Sequence, residues 1–221
     1  MEAASKLLRV LATRQERIRE KTDCILLSDT LSWFIVTPNL ILIPITAILY
    51  STYIPLNKRK SLYFWKTKLD EKIPYLSIFI IPYQLFLVFL FLSFPLLWKS
   101  PFMTPFLIST IVAEVIAATI WYLLPNGVPR KKRKEKGLLA WLVNFTYRHD
   151  GDTNGFPSGH VFNSLIASHF LALQYPHYSM PLLTLGTLIA ASTVFIKQHY
   201  IIDVIGGIGV FFLAFFVASL F

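Results

Sequence analysis

Two residues near the C-terminal end of the chain have types and a spacing that suit phosphoryl chemistry. His199 and Asp203 are four residues apart, so on a helix they share one face and can touch. A carboxylate that binds one imidazole nitrogen fixes the tautomer and leaves the other nitrogen basic and directed outward. His199 is therefore arranged as a histidine nucleophile would be. The alternative is a structural pair that joins two helices.

A second histidine follows a segment with the features of a helix start, residues 156–160, which read Phe-Pro-Ser-Gly-His. Proline suits the first turn of a helix, and the first backbone amides of a helix have no acceptor within it. With Ser158 and Gly159 beside them, such amides make a natural phosphate cradle. His160 then stands at its mouth, able to give or take a proton near neutral pH. The alternative is a capping serine followed by an interfacial histidine.

Composition indicates that these residues belong to a membrane protein. Of the 221 residues, 55% are hydrophobic and 15% are charged, against about 25% charged in ordinary soluble domains. A soluble domain of this size could not bury so much apolar side chain, and a disordered chain has far less of it. In a bilayer the backbone polar groups must pair inside helices. We therefore predict an all-α integral membrane protein.

Six stretches are apolar and long enough to approach the roughly 20 residues that a membrane span needs. They are residues 31–54, 75–98, 102–124, 158–175, 180–196 and 200–221. We predict a six-helix bundle, with residues 31–221 as one membrane domain. Residues 1–30 carry six Lys and Arg residues without an apolar core, which is not a cleavable signal peptide. They are predicted to form a basic N-terminal segment, in which a short interfacial helix is conceivable.

The number of spans places the candidate residues on one side of the membrane. With six spans, the connection over residues 125–157 and the turn over residues 197–199 open on the same side. The two histidines lie at the ends of these connections. The sequence therefore predicts one site at that mouth of the bundle.

These segments resemble two motifs of the superfamily of type 2 phosphatidic acid phosphatases and vanadium haloperoxidases. The resemblance covers residues 121–203. Residues 157–160 match the second motif completely, and Ser192, His199 and Asp203 match the third. The resemblance implies a six-span core like that of the membrane lipid phosphatases.

The resemblance also implies a role for each matching residue. His199 would be the nucleophile that accepts the phosphoryl group, and Asp203 would orient it. His160 would be the general acid that protonates the leaving oxygen. Ser158 and the Gly159 amide would hold phosphate oxygens.

The sequence departs from the family pattern at two basic positions. The third motif usually carries arginine where this chain has Thr193, and phosphoryl transfer depends on positive charge around the equatorial oxygens. Lys197, one turn later on the same helical face, is predicted to supply that charge. In the first motif, Leu123 stands where the family has lysine. Residues 125–130 resemble a divergent form of that motif found near the sphingolipid head-group transferases, and we predict Arg130 as a phosphate ligand.

The leading functional prediction is a metal-independent phosphohydrolase that acts on a lipid phosphate or pyrophosphate through a phosphohistidine. No metal and no cofactor are predicted, because the six-span core has no carboxylate cluster of the kind that holds Mg²⁺. One alternative is a head-group phosphotransferase, in which an alcohol replaces water. The other is a lipid-binding membrane protein without activity. The sequence does not identify the lipid or the oligomeric state.

The net charge of +9 also favours lipid partners. Residues 130–136 form a basic run between two predicted spans, without the interleaved aromatic residues of a nucleic-acid surface. Such a run attracts anionic head groups and concentrates an anionic substrate. The positive-inside rule places this side of the membrane in the cytoplasm, whereas the resemblance favours the opposite side. The orientation therefore stays open.

The remaining polar residues near the motifs could have a functional or a structural role. Asp150 and Asn154 precede the second motif and suit either a head-group site or a turn. Glu114 is an intramembrane acid, for which we predict a hydrogen bond between helices. Asn163 shares the face of His160 and could line the pocket, whereas His169 is out of phase and is predicted to be packed.

Overall fold

The computed structural model describes residues 38–221 except 131 and 133. The basic N-terminal segment and the start of the first predicted span lie outside these residues. The helices are α1 Pro38–Asn57, α2 Lys68–Lys72, α3 Ile80–Leu97, α4 Met103–Leu123, α5 Leu138–His149, α6 Gly159–Gln174, α7 Ser179–Phe195 and α8 Ile201–Ala218. Short 3-10 turns, Ser77–Phe79 and Pro176–Tyr178, precede α3 and α7. The all-α prediction is confirmed for the described residues, in which the only strand-like pairing is isolated bridges.

Five of the described helices are long and apolar enough to cross a membrane: α1, α3, α4, α7 and α8, with the 3-10 turns counted into α3 and α7. The fourth predicted span forms a helix in the expected place, but α6 has 16 residues and carries polar side chains such as Asn163 and Ser168. It packs against α3, α4, α7 and α8, so those side chains face protein rather than lipid. A multi-pass membrane protein is supported, whereas a sixth span is not confirmed.

The centre of the bundle is built around α6. Its Phe162 and Phe170 pack in one apolar cluster with Phe106 and Trp121 of α4, and within a bilayer such a cluster stabilises the bundle through van der Waals contact. α8 approaches α6 closely because it has glycine where the two helices meet. A Cβ on Gly207 would lie 2.7 Å from the Val161 side chain, closer than any real contact. The bundle thus brings the start of α8 to the start of α6.

A chain of hydrogen bonds inside the bundle connects α1, α4 and α6. The Asn163 amide donates to the Glu114 carboxylate at 2.8 Å, and the Tyr50 hydroxyl donates to the Asn163 carbonyl oxygen at 3.0 Å. The predicted role of Glu114 in joining helices is therefore confirmed. Asn163 uses its side chain between helices, and the neighbouring Ser164 donates to the His160 carbonyl of its own helix.

Two helices lie in connections where the sequence analysis predicts none. α2 occupies the connection between α1 and α3, and α5 occupies the long polar stretch between α4 and α6. The signal for α5 is present in the sequence, because Leu138, Trp141, Leu142 and Phe145 have the spacing of one helical face. Both helices pack beside the predicted site.

Candidate active site

His199 and Asp203 form the predicted contact, but through a helix start rather than along one helical face. α7 ends at Phe195 and α8 begins at Ile201, so His199 lies in the turn between them. Its Nδ1 is 3.4 Å from Asp203 Oδ2, and the same oxygen accepts the Tyr200 amide at 2.8 Å. An aspartate in the first turn also interacts favourably with the helix dipole. Because Nδ1 faces the carboxylate, Nε2 is the nitrogen left for chemistry.

The backbone of Thr193 holds the turn that carries His199. Its carbonyl accepts the amides of Gln198 at 2.8 Å and His199 at 3.1 Å. Its hydroxyl donates to the Ala190 carbonyl within α7 at 2.7 Å. At the position where the family has arginine, this chain thus has a buried residue whose polar groups serve the local fold.

The position of Lys197 corrects the prediction that its side chain follows Thr193 on one helical face. The helix ends two residues before Lys197, whose φ of 59° turns the backbone out of the helical path. Its ammonium donates to the carbonyls of Asp70 at 3.0 Å and Ile73 at 2.6 Å. These carbonyls lie at the C-terminal end of α2, where a cation is favourable. Phosphate binding by Lys197 stays a prediction. The helical geometry from which it was predicted, with Lys197 on the same face as Thr193, is wrong.

Asp70, which the sequence analysis misses, fastens the connection between α1 and α3 to the same turn. Its Oδ1 accepts the Ile201 amide at 2.8 Å. Its Oδ2 accepts the amide and the hydroxyl of Thr67, both at 2.7 Å. The carboxylate is buried, and the three hydrogen bonds compensate for its desolvation. The available signal was the Thr-x-x-Asp capping pattern at residues 67–70.

The two histidines of the predicted site face each other. His160 is the second residue of α6, and its ring centroid is 6.0 Å from that of His199. The His160 ring stacks on Tyr83 at 4.4 Å and contacts Phe86 at 4.3 Å between centroids. Both aromatic residues come from α3, which thereby sets the direction of the His160 ring. The structure thus brings together the residues that the resemblance assigns as nucleophile and acid.

Ser158 has a buried hydroxyl with no hydrogen-bond partner among the described residues. Its amide donates to the Asp203 carbonyl at 3.0 Å, so the starts of α6 and α8 are joined directly. The side chain makes no capping hydrogen bond, so the alternative of a capping serine is not observed. Leaving a buried polar group unpaired costs about 1–3 kcal/mol. An oxygen of a bound phosphate would relieve that cost.

Arg130 also reaches the site, held by Asp150. Its Nη1 lies 3.2 Å from Asp150 Oδ2 and donates to the Asp150 carbonyl at 2.7 Å. Its Nε is buried and has no hydrogen-bond partner among the residues that the structure describes. The charges of Arg130 and Asp150 both interact with His160. Asp150 accepts the Tyr53 hydroxyl at 2.8 Å as well, which favours a structural role over a head-group site.

The loop before Arg130 is fixed by Asn126 and Gly127. The Asn126 side chain donates to the Phe156 carbonyl at 3.1 Å and accepts the Phe156 amide. A Cβ on Gly127 would lie 1.9 Å from the Asp152 carbonyl oxygen and 2.3 Å from the Ser61 hydroxyl, so only glycine fits. The divergent first motif is thereby attached to the second.

Two further residues complete the account of the site. Gln198 is 1% exposed, and neither polar atom of its side chain has a hydrogen-bond partner within the described part of the chain; the sequence analysis did not identify it. His169 packs against the rings of Phe170, Phe211 and Phe215, as predicted. Among the described residues, no group of three or more histidine, cysteine or acidic side chains could hold a metal ion.

Comparison with known proteins gives one match. No curated protein and no solved structure matches the chain. Residues 127–221 match the family described as the PAP2 superfamily, a region that runs from Gly127 through the whole of α8. It contains Arg130, both histidines and Asp203, and the superfamily generally comprises phosphatases. This match, which covers less than half of the chain, is consistent with a member of the type 2 phosphatidic acid phosphatase superfamily, as the motifs predict.

Proposed function

We propose that this protein is a membrane-embedded phosphohydrolase that removes phosphate from a lipid phosphate or pyrophosphate. The observation that supports this most strongly is the pair of facing imidazoles, His160 and His199, with Asp203 behind the second. One member of the pair has a carboxylate partner, which fixes its tautomer and its orientation. The other, His160, is held between aromatic rings. None of the hydrogen bonds and ion pairs described above joins it to a carboxylate. This asymmetry suits a nucleophile and a general acid.

The reaction runs in two steps. In the first, Nε2 of His199 attacks phosphorus, the bond from phosphorus to the leaving oxygen breaks, and that oxygen takes a proton from His160. In the second, water attacks the phosphohistidine and gives its proton to His160, which releases inorganic phosphate and restores both histidines. Asp203 stabilises the charged form of His199 while the phosphoryl group is bound.

Phosphate oxygens would be held by groups with unused hydrogen-bonding capacity. The Ser158 hydroxyl and the Arg130 Nε are buried without a partner in residues 38–221, apart from the undescribed 131 and 133, and the first amides of α6 have no intrahelical acceptor. Arg130 contributes positive charge as well, which is the principal means of stabilising a phosphoryl transition state. The lipid nature of the substrate is supported by the position of this site at the end of a bundle whose outer surface is apolar.

The test is phosphate release by the purified full-length protein over a panel of lipid monophosphates and pyrophosphates. His199→Ala is expected to abolish release, and His177→Ala, an exposed histidine on the opposite side of the bundle, serves as the matched control. Rapid quenching with a radiolabelled donor should trap an acid-labile phosphoprotein in the wild type and not in His199→Ala. An active His199→Ala variant would overturn the mechanism. Lipid binding without phosphate release over the whole panel would favour the inactive lipid-binding protein.

A head-group phosphotransferase is the second candidate, because Leu123 and Thr193 replace the basic residues of the usual hydrolase motifs. In that reaction an alcohol rather than water attacks the phosphohistidine. Incubation with a labelled donor and a panel of alcohol acceptors distinguishes the two. Labelled lipid product indicates transfer, and labelled inorganic phosphate alone indicates hydrolysis.

A further inference from the structure

Helix α5 has large apolar side chains on the face that does not pack against protein. Leu138, Trp141 and Phe145 are 71%, 59% and 45% exposed. Their spacing of three and four residues places them on one helical face. The rings of Trp141 and Phe145 stack with their centroids 5.6 Å apart, so the three side chains form one continuous apolar stripe.

The opposite face of α5 is fixed against the bundle, so the stripe cannot turn inward. Ala140, Val143 and Thr146 are buried there. The Thr146 hydroxyl accepts the Gln84 amide of α3 at 2.6 Å, and the Tyr147 hydroxyl donates to the Ile196 carbonyl. The outward direction of the stripe is therefore a property of the fold.

The length and flanks of α5 are those of a helix that lies on a membrane. Its 12 residues extend about 18 Å, too short to cross a hydrocarbon core of about 30 Å. Lys132, Lys134 and Lys136 are exposed just before its N-terminus, where cations oppose the helix dipole. These lysines therefore do not stabilise the helix through its dipole. Their positive charge instead favours contact with anionic lipid head groups.

We propose that α5 is an interfacial helix, with its stripe inserted into the leaflet next to the active site and the basic run on anionic head groups. Tryptophan and phenylalanine at the head-group boundary are favourable, whereas the same stripe in water would be an exposed apolar patch. The inner face of α5 carries Tyr147, whose ring centroid is 5.9 Å from the Arg130 guanidinium carbon. Helix α5 thus lies between the lipid surface and Arg130, a predicted phosphate ligand.

The proposal is tested by spin labels on the full-length protein in vesicles. A Cys24→Ser background would carry one cysteine at a time, as Leu138→Cys, Trp141→Cys or Phe145→Cys, with Glu135→Cys in the basic run as the control. These exposed positions leave the packed face intact, and thermal unfolding checks each variant. In vesicles of phosphatidylcholine with phosphatidylglycerol, the quantity measured is the ratio of the label's collision rate with oxygen to its collision rate with an aqueous nickel complex. We expect this ratio to be several-fold higher at the three helix positions than at the control.

The charge contribution has its own comparison. Omitting phosphatidylglycerol, or replacing Lys132, Lys134 and Lys136 together by glutamine, should reduce the depth of the label at position 141. Equal nickel accessibility at all four positions would overturn the proposal, because the stripe would then face water. Shielding from both reagents, with short distances between labels on different copies, would also overturn it in favour of a contact with a second copy of the chain.

Discussion

Lys197 and Asp70 form reciprocal contacts. The Lys197 side chain binds the backbone of Asp70, and the Asp70 side chain binds the backbone shortly after Lys197. The Lys197 ammonium donates to the Asp70 carbonyl at 3.0 Å, and the Asp70 carboxylate accepts the Ile201 amide at 2.8 Å. These contacts lie on both sides of His199 in the sequence. A loss at either residue is therefore expected to loosen the turn that carries His199, the proposed nucleophile.

Replacing Lys197 separates a structural role from phosphate binding. Lys197→Met removes the donor to two carbonyls, and we expect the free energy of unfolding to fall by about 1–3 kcal/mol. Inhibition by inorganic phosphate should change little. Thermal unfolding in detergent and phosphate inhibition of the remaining activity measure the two effects, with Lys197→Arg as the conservative control. Unchanged stability with phosphate inhibition weakened about tenfold, equivalent to 1.4 kcal/mol, would instead support the original prediction of a phosphate ligand.

Asp70 is expected to position His199 without touching the substrate. Asp70→Ala removes three accepted hydrogen bonds and should lower kcat by about tenfold to a hundredfold, because small displacements of reacting groups have effects of that size. KM should stay nearly constant. Asp70→Asn keeps an acceptor oxygen and should recover much of kcat. A KM effect with kcat unchanged would contradict the positioning role.

The role of His160 can be tested with leaving groups of different basicity. His160→Ala should lower the rate on an alkyl lipid phosphate by about 10²–10⁴-fold, the usual contribution of a general acid. The loss should be much smaller on p-nitrophenyl phosphate, since nitrophenolate departs without a proton. Initial rates on both substrates, with wild type as reference, decide the matter. An equal loss on the two would show that His160 does not protonate the leaving group.

Asp203→Asn tests the role of the carboxylate beside His199, the proposed nucleophile. An asparagine oxygen can still accept the Tyr200 amide, so the start of α8 and the thermal unfolding midpoint should be preserved. The amide cannot stabilise the charged His199 ring, and we expect kcat to fall by about 10²–10⁴-fold by analogy with hydrolase triads. Wild-type kcat in a well-folded variant would exclude the orienting role of Asp203.

Two glycine substitutions form a matched pair for the fold. Gly127→Ala places a Cβ 1.9 Å from the Asp152 carbonyl oxygen and should lower the free energy of unfolding by about 1–3 kcal/mol, as overpacking does. Gly209→Ala, in the interior of α8, meets no atom of a described residue within 4 Å and should raise the free energy of unfolding by up to about 1 kcal/mol. Differential scanning measurements compare both with wild type. A tolerated Gly127→Ala would mean that the first-motif loop can shift away from Asp152.

Much of the helical architecture follows from local pattern. Apolar stretches of membrane length predicted α3, α4, α6, α7 and α8 to within a few residues at most ends. The His199–Asp203 contact was also predicted, although a helix N-terminus forms it rather than a helix interior. Local spacing was sufficient in these cases because the interacting residues are close in the chain.

The position of Lys197 was not predictable in this way. A helix continued from α7 would have carried its ammonium to the side of Thr193, but α7 ends at Phe195 and the residue at 197 has positive φ. The partners of Lys197 are 127 and 124 residues away in the chain. No periodicity near Lys197 points to them.

The resemblance to the superfamily and the membrane class could be predicted from the sequence alone, because both depend on composition and on spacings of a few residues. The tertiary structure decided which buried polar groups form hydrogen bonds within the fold and which have unused hydrogen-bonding capacity. Asp70, Asp150 and Lys197 form hydrogen bonds with distant segments, whereas the Ser158 hydroxyl and the Arg130 Nε are buried and have no partner among the described residues. That division depends on contacts between residues far apart in the chain, which exist only after the helices have packed.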